Sequence, residues 1–230
     1  MLNSLELTGR AATHVRAVPE LAATLHNEAV AAASALREAA RSDGFELEIV
    51  SSFRDFARQQ AIWNAKYSGG RALLDRAECE IDPAALDDRG RVDAILLWSA
   101  LPGASRHHWG TDIDVVDRAA VAPDYRPRLA VKEFAAGGPF SRLEAWLGEH
   151  MHRFGFFRPY TEDRGGVQPE PWHLSYAPVA VPALEALTPE VLTEAIATSS
   201  MLGREQVLAR LAELHSRFVA AVSSPPTTLS

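Results

Sequence analysis

The chain has 230 residues, 47% of them hydrophobic and 23% charged, with a formal net charge of −7. That is ordinary globular composition with enough chain for a sizeable unaided core, and the acidic balance argues against a nucleic-acid backbone binder, so no nucleic-acid partner is expected. The single cysteine, Cys79, excludes an intrachain disulfide framework and a cysteine-rich zinc knuckle, so any metal site must come from His, Asp and Glu. No stretch reaches the ~18–20 apolar residues of a membrane span, so none is expected. Met1–Glu6 lacks a basic, apolar export signal, from which a cytoplasmic location is expected, or a periplasmic one if the N-terminus has been trimmed.

Residues 1–18 read as irregular. Leu21, Leu25, Ala29, Ala32 and Leu36 recur at helical spacing and predict a helix from Pro19 to Ala40. Glu46–Phe53 alternates as a strand, and Asp55–Tyr67 reads as a helix stopped by Ser68-Gly69-Gly70. Residues 71–90 read as a surface excursion and Val92–Trp98 as a helix end. Asp112–Val116 alternates as a strand, which puts Asp112 and Asp114 on one face. Residues 118–139 read as loop, and Ser141–Phe154 as a helix with Ser141 as cap and Glu144 three residues on. Phe156–Tyr160 and Trp172–Tyr176 read as short strands, Thr188–Ser200 and Arg204–Val222 as helices, and the Ser/Pro/Thr-rich tail from Ser223 as disordered. The domain reading is an N-terminal helical segment over 1–45, a catalytic core over 46–182, C-terminal helices over 183–222 and a tail over 223–230.

Two short stretches set metal-ligand chemistry beside a carboxylate. They are Ser105-Arg106-His107-His108-Trp109-Gly110-Thr111-Asp112-Ile113-Asp114 and Glu170-Pro171-Trp172-His173-Leu174-Ser175-Tyr176. Catalytic zinc takes three nitrogen or oxygen ligands and keeps a fourth position open. His107, Asp114 and His173 meet that demand if their strands lie side by side. Glu170 is then free to act as general base on the attacking water and later as acid for the leaving amine. His108 has three roles open: replacing His107 as ligand, lining the pocket, or packing. Asp112 has two, orienting a ligand imidazole or capping a turn. Trp109 and Trp172 are read as walls of the site. His14, His26, His150, His152 and His215 have no supporting neighbours and are read as ordinary polar residues. Arg54 follows a predicted strand directly, where a guanidinium suits a substrate carboxylate or a developing oxyanion; its alternative is a surface ion pair.

Taken together these segments resemble the zinc D-Ala-D-Ala carboxypeptidase and dipeptidase family, which includes VanY-type DD- and LD-carboxypeptidases and phage L-alanyl-D-glutamate endolysins. Ser105, His107, Gly110 and Asp114 fall on the signature S-x-H-x-x-G-x-A-x-D, and Glu170, Trp172 and His173 on E-x-W-H. Ser51, Phe53, Arg54 and Gln59 match the upstream S-G-[YF]-R-S-x-x-x-Q, so the resemblance covers roughly residues 46–177. It implies a small α+β fold of the Hedgehog/DD-peptidase type: a central antiparallel sheet flanked by helices, here with extra N- and C-terminal helices. It implies Zn2+ as cofactor on His107, Asp114 and His173, with Glu170 as base and Arg54 polarising the scissile carbonyl. It implies substrate contacts by Arg54, Gln59 and Ser105, and Tyr176 matches an aromatic common after the second motif. The implied activity is removal of terminal D-Ala from peptidoglycan stem peptides by hydroxide generated at the zinc. A peptidoglycan endopeptidase and a catalytically inert zinc-stabilised binding protein are the alternatives. Asp112 stands where the family has a small residue, Ser52 where it has glycine, and Ser175 where many relatives carry arginine.

Overall fold

The computed structural model describes residues 1–226. In chain order the N-terminal half contains α1 (Ser4–Leu7), β1 (Val15–Val18), β2 (Ala23–His26), α2 (Ala29–Ser42), β3 (Leu47–Ser51), α3 (Phe56–Tyr67), β4 (Leu73–Leu74), β5 (Glu80–Ile81) and α4 (Asp88–Leu96). The second half contains β6 (Asp112–Asp117), α5 (Val131–Phe134), α6 (Ser141–His150), β7 (Phe156–Phe157), β8 (His173–Tyr176), α7 (Ala177–Ala186), α8 (Pro189–Ala197), α9 (Arg204–Ala209) and α10 (Leu211–Phe218).

The centre is a four-stranded antiparallel sheet in the order β3-β6-β8-β7. Every residue of β6 is buried, and its two faces differ in chemistry. Ile113 and Val115 join Leu36, Leu47, Ile49, Leu143, Leu147 and Leu174 in a core beneath the sheet. Each such buried aliphatic side chain is worth roughly 1.5–3 kcal/mol against exposure. Asp112 and Asp114 share the opposite face, as period-two alternation requires. Register sets Asp114 opposite His173 and Asp112 opposite Ser175 on β8. A second core lies between α3, α4 and the C-terminal helices, with Trp63, Ile95, Leu96, Leu192, Val207 and Leu214 at its heart. The Trp63 indole N–H donates to the carbonyl of Leu202 at 2.9 Å, which ties α3 to the segment before α9.

Several elements differ from the sequence reading. The helix expected from Pro19 starts at Ala29; ahead of it, β1 and β2 form a hairpin turned by Pro19-Glu20-Leu21 and by Ala22 at φ +50°. Val18, Leu21, Ala23 and Leu25 are buried against the sheet, and that burial outweighs the helical propensity of an alanine-rich run. Residues 1–18 hold a capped turn of helix as well as β1, and residues 71–90 hold the β4–β5 hairpin and the start of α4. The expected loop over 118–139 contains α5. Ser141 is the first residue of α6 rather than its cap, and Glu144 pairs with Arg158 instead of capping. The strand at Phe156 spans two residues, α7 was not foreseen, and the last expected helix breaks at Arg210 into two. Asp55 caps α3 and Thr188 caps α8. Ser223, placed by sequence in a disordered tail, is buried and donates its N–H to the Pro159 carbonyl at 2.8 Å; residues 227–230 of that tail lie outside the described residues.

Candidate active site

The two motifs converge because β6 and β8 pair. His107 comes from a short 3-10 turn, Arg106–Trp109, that runs into β6 through Gly110. Gly110 has φ +66°, and a Cβ there would stand 2.4 Å from Val15 Cγ1 and 2.7 Å from the His26 nitrogen. Only glycine lets the β1–β2 hairpin approach this closely while the turn delivers His107.

His107, Asp114 and His173 are buried and each offers a ligand atom, all within 4.8 Å of one another. His107 Nε2 lies 3.4 Å from Asp114 Oδ2, and His173 Nδ1 lies 3.0 Å from Asp114 Oδ1. Donors at zinc's ~2.0–2.1 Å bond length in a tetrahedron stand about 3.3 Å apart. Asp114 Oδ1 is also buried with no hydrogen-bond donor in good geometry, as expected of an oxygen facing a cation. The donor set therefore fits a zinc-like ion.

Hydrogen bonds fix which nitrogens face that point. The Ser52 carbonyl can only accept, so His107 Nδ1, 2.9 Å away, carries the proton and Nε2 presents its lone pair. Asp112 accepts from His173 Nε2 at 2.9 Å, which turns Nδ1 toward Asp114. Asp112 in turn accepts from Arg106 Nε at 2.8 Å and Thr111 Oγ1 at 2.6 Å, while Arg106 also donates to Ser175 Oγ at 2.5 Å. Arg106 thus supplies a guanidinium beside Ser175. Asp112 orients the imidazole, one of its two sequence-level roles.

His108 is no ligand. Its Nδ1 donates to the Arg54 carbonyl at 2.5 Å and its Nε2 accepts from the Gly103 N–H at 3.1 Å. Both nitrogens are spent, and burial pushes the pKa down to about 3, so the ring is a neutral clamp behind the site. His14 supports it through the His108 carbonyl.

The candidate metal ligands open onto a cavity of about 420 Å³. Arg54, Ser105, Glu170, Trp172 and Tyr160 line it, with Leu74, Glu78 and Glu80 from the β4–β5 hairpin and residues 128–132 opposite. Glu78 accepts from the Val131 N–H at 2.9 Å and joins these last two walls. Glu170 Oε2 stands 3.4 Å from His173 Nδ1. Burial pushes its pKa up to about 7, with Asp114 adding to the effect and His173 and Arg54 opposing it. Burial also works against charge on His173, yet its hydrogen bond to Asp112 and the Asp114 carboxylate 3.0 Å away raise its pKa to about 10. Burial likewise opposes charge on Asp112 and Asp114, but Arg106 and His107 respectively hold them below the ordinary carboxylate range.

Arg54 is positioned by Gln59 Oε1 at 2.8 Å and Ser51 Oγ at 3.1 Å. Gln59 itself is fully buried, donates to the Ala100 carbonyl at 2.7 Å and does not line the cavity. Trp109 is also fully buried, donating to the Leu7 carbonyl, and Tyr176 packs on Phe156; neither is brought to the cavity. Trp109 packs there because its 3-10 turn faces the helical core once His107 faces the sheet. Sequence reasoning missed Arg106, Tyr160 and Lys66. Arg106 sat inside the first motif with an acidic residue six positions on, which was the available signal; Tyr160 and Lys66 carried none.

Comparison with known proteins places this arrangement. The profile of the VanY family, described as D-alanyl-D-alanine carboxypeptidase, matches residues 22–179. The chain belongs to the VanY family. An uncharacterised protein of Haemophilus influenzae is 34% identical over 126 residues, covering 52% of this chain and 92% of its own. A D-alanyl-D-alanine carboxypeptidase of Enterococcus faecalis is 30% identical over 149 residues, 61% of this chain and 44% of that protein. The solved structure of VanYB in complex with D-alanine-D-alanine superposes with a TM-score of 0.52 at 22% identity, over 86% of this chain and 90% of that one. A vancomycin-resistance D,D-pentapeptidase VanY variant in complex with Zn(II) gives 0.50 at 22% identity, over 84% and 88%. The α+β fold with its small antiparallel sheet is shared with these VanY structures, and membership of the family makes the chain a metallopeptidase of the carboxypeptidase type.

Proposed function

We propose that this VanY-family protein is a zinc carboxypeptidase that removes terminal D-Ala from peptidoglycan stem peptides. The observation that carries the reading is one cavity holding three convergent ligand atoms, a displaced carboxylate and a tethered guanidinium: His107, Asp114 and His173, then Glu170, then Arg54. The zinc-bound VanY relative and the one bound to D-alanine-D-alanine support the choice of metal and of substrate class.

Zinc held by His107, Asp114 and His173 supplies a Lewis acid that polarises a carbonyl and acidifies a water. The remaining work falls to side chains. Glu170 takes the proton from the attacking water and passes it to the leaving amine, for which a pKa near 7 is suited. Arg54, held by Gln59 and Ser51, keeps further N–H donors for the terminal carboxylate or the oxyanion. Arg106 and Asp112 keep the His173 ring in the tautomer that leaves Nδ1 toward the metal position.

The test is D-Ala release from tetrapeptide and pentapeptide stems by the zinc-loaded protein, the two substrates separating LD from DD specificity. Glu170→Gln should abolish release while retaining zinc. No release from either stem with zinc confirmed bound contradicts the proposal, and wall hydrolysis in zymograms without D-Ala release selects the endopeptidase alternative.

A further inference from the structure

The cavity holds a cation that the motifs leave unexplained. Lys66 sits in the last turn of α3, half-buried, and lines the cavity. Gln59 and Trp63 precede it by seven and three residues, so all three lie on one helix face. Gln59 is the residue that anchors the Arg54 guanidinium. Two helical turns, about 10 Å, therefore separate the anchor of one cavity cation from the root of the other.

Arg54 and Arg71 are the cations that act on Lys66, and Glu170 is the carboxylate. Arg106 is neutralised by Asp112, and Glu78 is engaged by Val131. Arg128 and Lys132 stand exposed at the rim. Among the described residues Lys66 forms no ion pair within 4.0 Å and no side-chain hydrogen bond; Glu170 acts on it only through space. Burial lowers its pKa to about 8, which leaves it mostly charged at neutral pH. A partly desolvated ammonium without a partner costs stability unless a ligand supplies the anion.

We propose that Lys66 binds a second carboxylate of the substrate, so that the cavity selects peptides with two acidic groups, the chain terminus on Arg54 and a side-chain carboxylate on Lys66. The inference deepens the carboxypeptidase reading and rests on it for the role of Arg54. A stem peptide whose residue before the terminal D-Ala is diaminopimelate fits. The side chain of that residue leads away from the chain terminus and carries a carboxylate at its far end. A lysyl residue at that position carries the same side-chain ammonium without the carboxylate, and so offers Lys66 no anion.

The experiment compares two peptides that differ only there, diaminopimelyl-D-alanine and lysyl-D-alanine termini, by titration calorimetry on zinc-loaded Glu170→Gln. With that carboxylate neutralised, Lys66 cannot act through it, and any effect belongs to the ligand. The diacid should bind roughly tenfold tighter or better, the scale of one charge-assisted hydrogen bond. Lys66→Met on the same background should bring it down to the level of the lysyl peptide, and Lys66→Arg should restore most of the difference. In the enzyme with Glu170 intact the preference should lie in KM. Equal binding of the two peptides, or a preference that survives Lys66→Met, overturns the proposal. If the diacid preference depends on Lys66 while the zinc-loaded enzyme hydrolyses neither peptide, the carboxypeptidase reading fails and the Lys66 site stands.

Discussion

Asp112→Asn is the sharpest single perturbation of the metal centre, because it changes the carboxylate behind His173 and replaces no candidate ligand. Asp112 is fully buried and accepts three hydrogen bonds, from His173, Arg106 and Thr111. An amide of the same shape accepts through one oxygen only. Oδ1 takes both His173 Nε2 and Arg106 Nε, and Oδ2 takes Thr111 Oγ1, so an amide oxygen in place of Oδ1 keeps the first two contacts while its NH2 turns to the Thr111 hydroxyl, which can accept; what is lost is the negative charge. Arg106, whose side chain is 4% exposed, loses its counter-charge. Removing one partner of such a buried pair costs about 3–5 kcal/mol of folding stability. Loss of an imidazole's supporting carboxylate costs about 10–100-fold in metal affinity, or about 1.4–2.7 kcal/mol. Zinc dissociation constants from competition with a fluorescent chelator, and melting curves with and without zinc, measure the two effects separately. The double variant Asp112→Ala, Arg106→Leu should recover stability by removing both charges and still bind zinc weakly. Zinc affinity of Asp112→Asn within twofold of the unmodified protein would refute the role given to this carboxylate.

Three further outcomes follow from the same geometry. His173 has a folded pKa raised to about 10 from an ordinary 6.5, so between those values the metal-free protein carries a proton that the unfolded chain lacks; this contribution to metal-free stability is full below 6.5 and is lost as pH rises through 10. A metal ligand must shed that proton, so zinc binding near pH 8 should release about one proton, and affinity should rise up to tenfold per pH unit in this window; calorimetry in buffers of different ionisation enthalpy checks it, and zero net release contradicts it. His107→Ala should lose stoichiometric zinc, whereas His108→Ala should keep it and lower the melting temperature, since His108 serves only backbone groups; zinc analysis of the purified variants decides. Gly110→Ala should destabilise by at least about 2 kcal/mol, combining a left-handed backbone with a Cβ 2.4 Å from Val15, and chemical denaturation would show otherwise if the midpoint were unmoved.

The site was more legible in the sequence than the fold around it. Strand alternation put Asp112 and Asp114 on one face, and the ligand set follows once β6 pairs with β8. Local residue order could not resolve His107 from His108. That depended on the Ser52 carbonyl reaching one ring while the Arg54 carbonyl and Gly103 N–H claimed the other. It could not place Lys66 either, because a lysine seven residues after Gln59 joins the cavity only when α3 packs beside the motif turn. The β1–β2 hairpin was hidden for a similar reason. Alanines and leucines at helical spacing read the same whether the apolar face meets a helix or a sheet, and only tertiary burial of Val18, Leu21 and Leu25 selects the strand.

In the proposed function, hydrolysis depends on a metal held by His107, Asp114 and His173. The most direct test is the rate of D-Ala release from tetrapeptide and pentapeptide stems by protein stripped of metal, followed through titration with zinc. Release should be absent at the start, rise linearly with added zinc and reach a plateau at one equivalent per chain. Equal release by the stripped protein, or a fully loaded protein that releases no D-Ala from either stem, would contradict the proposed function.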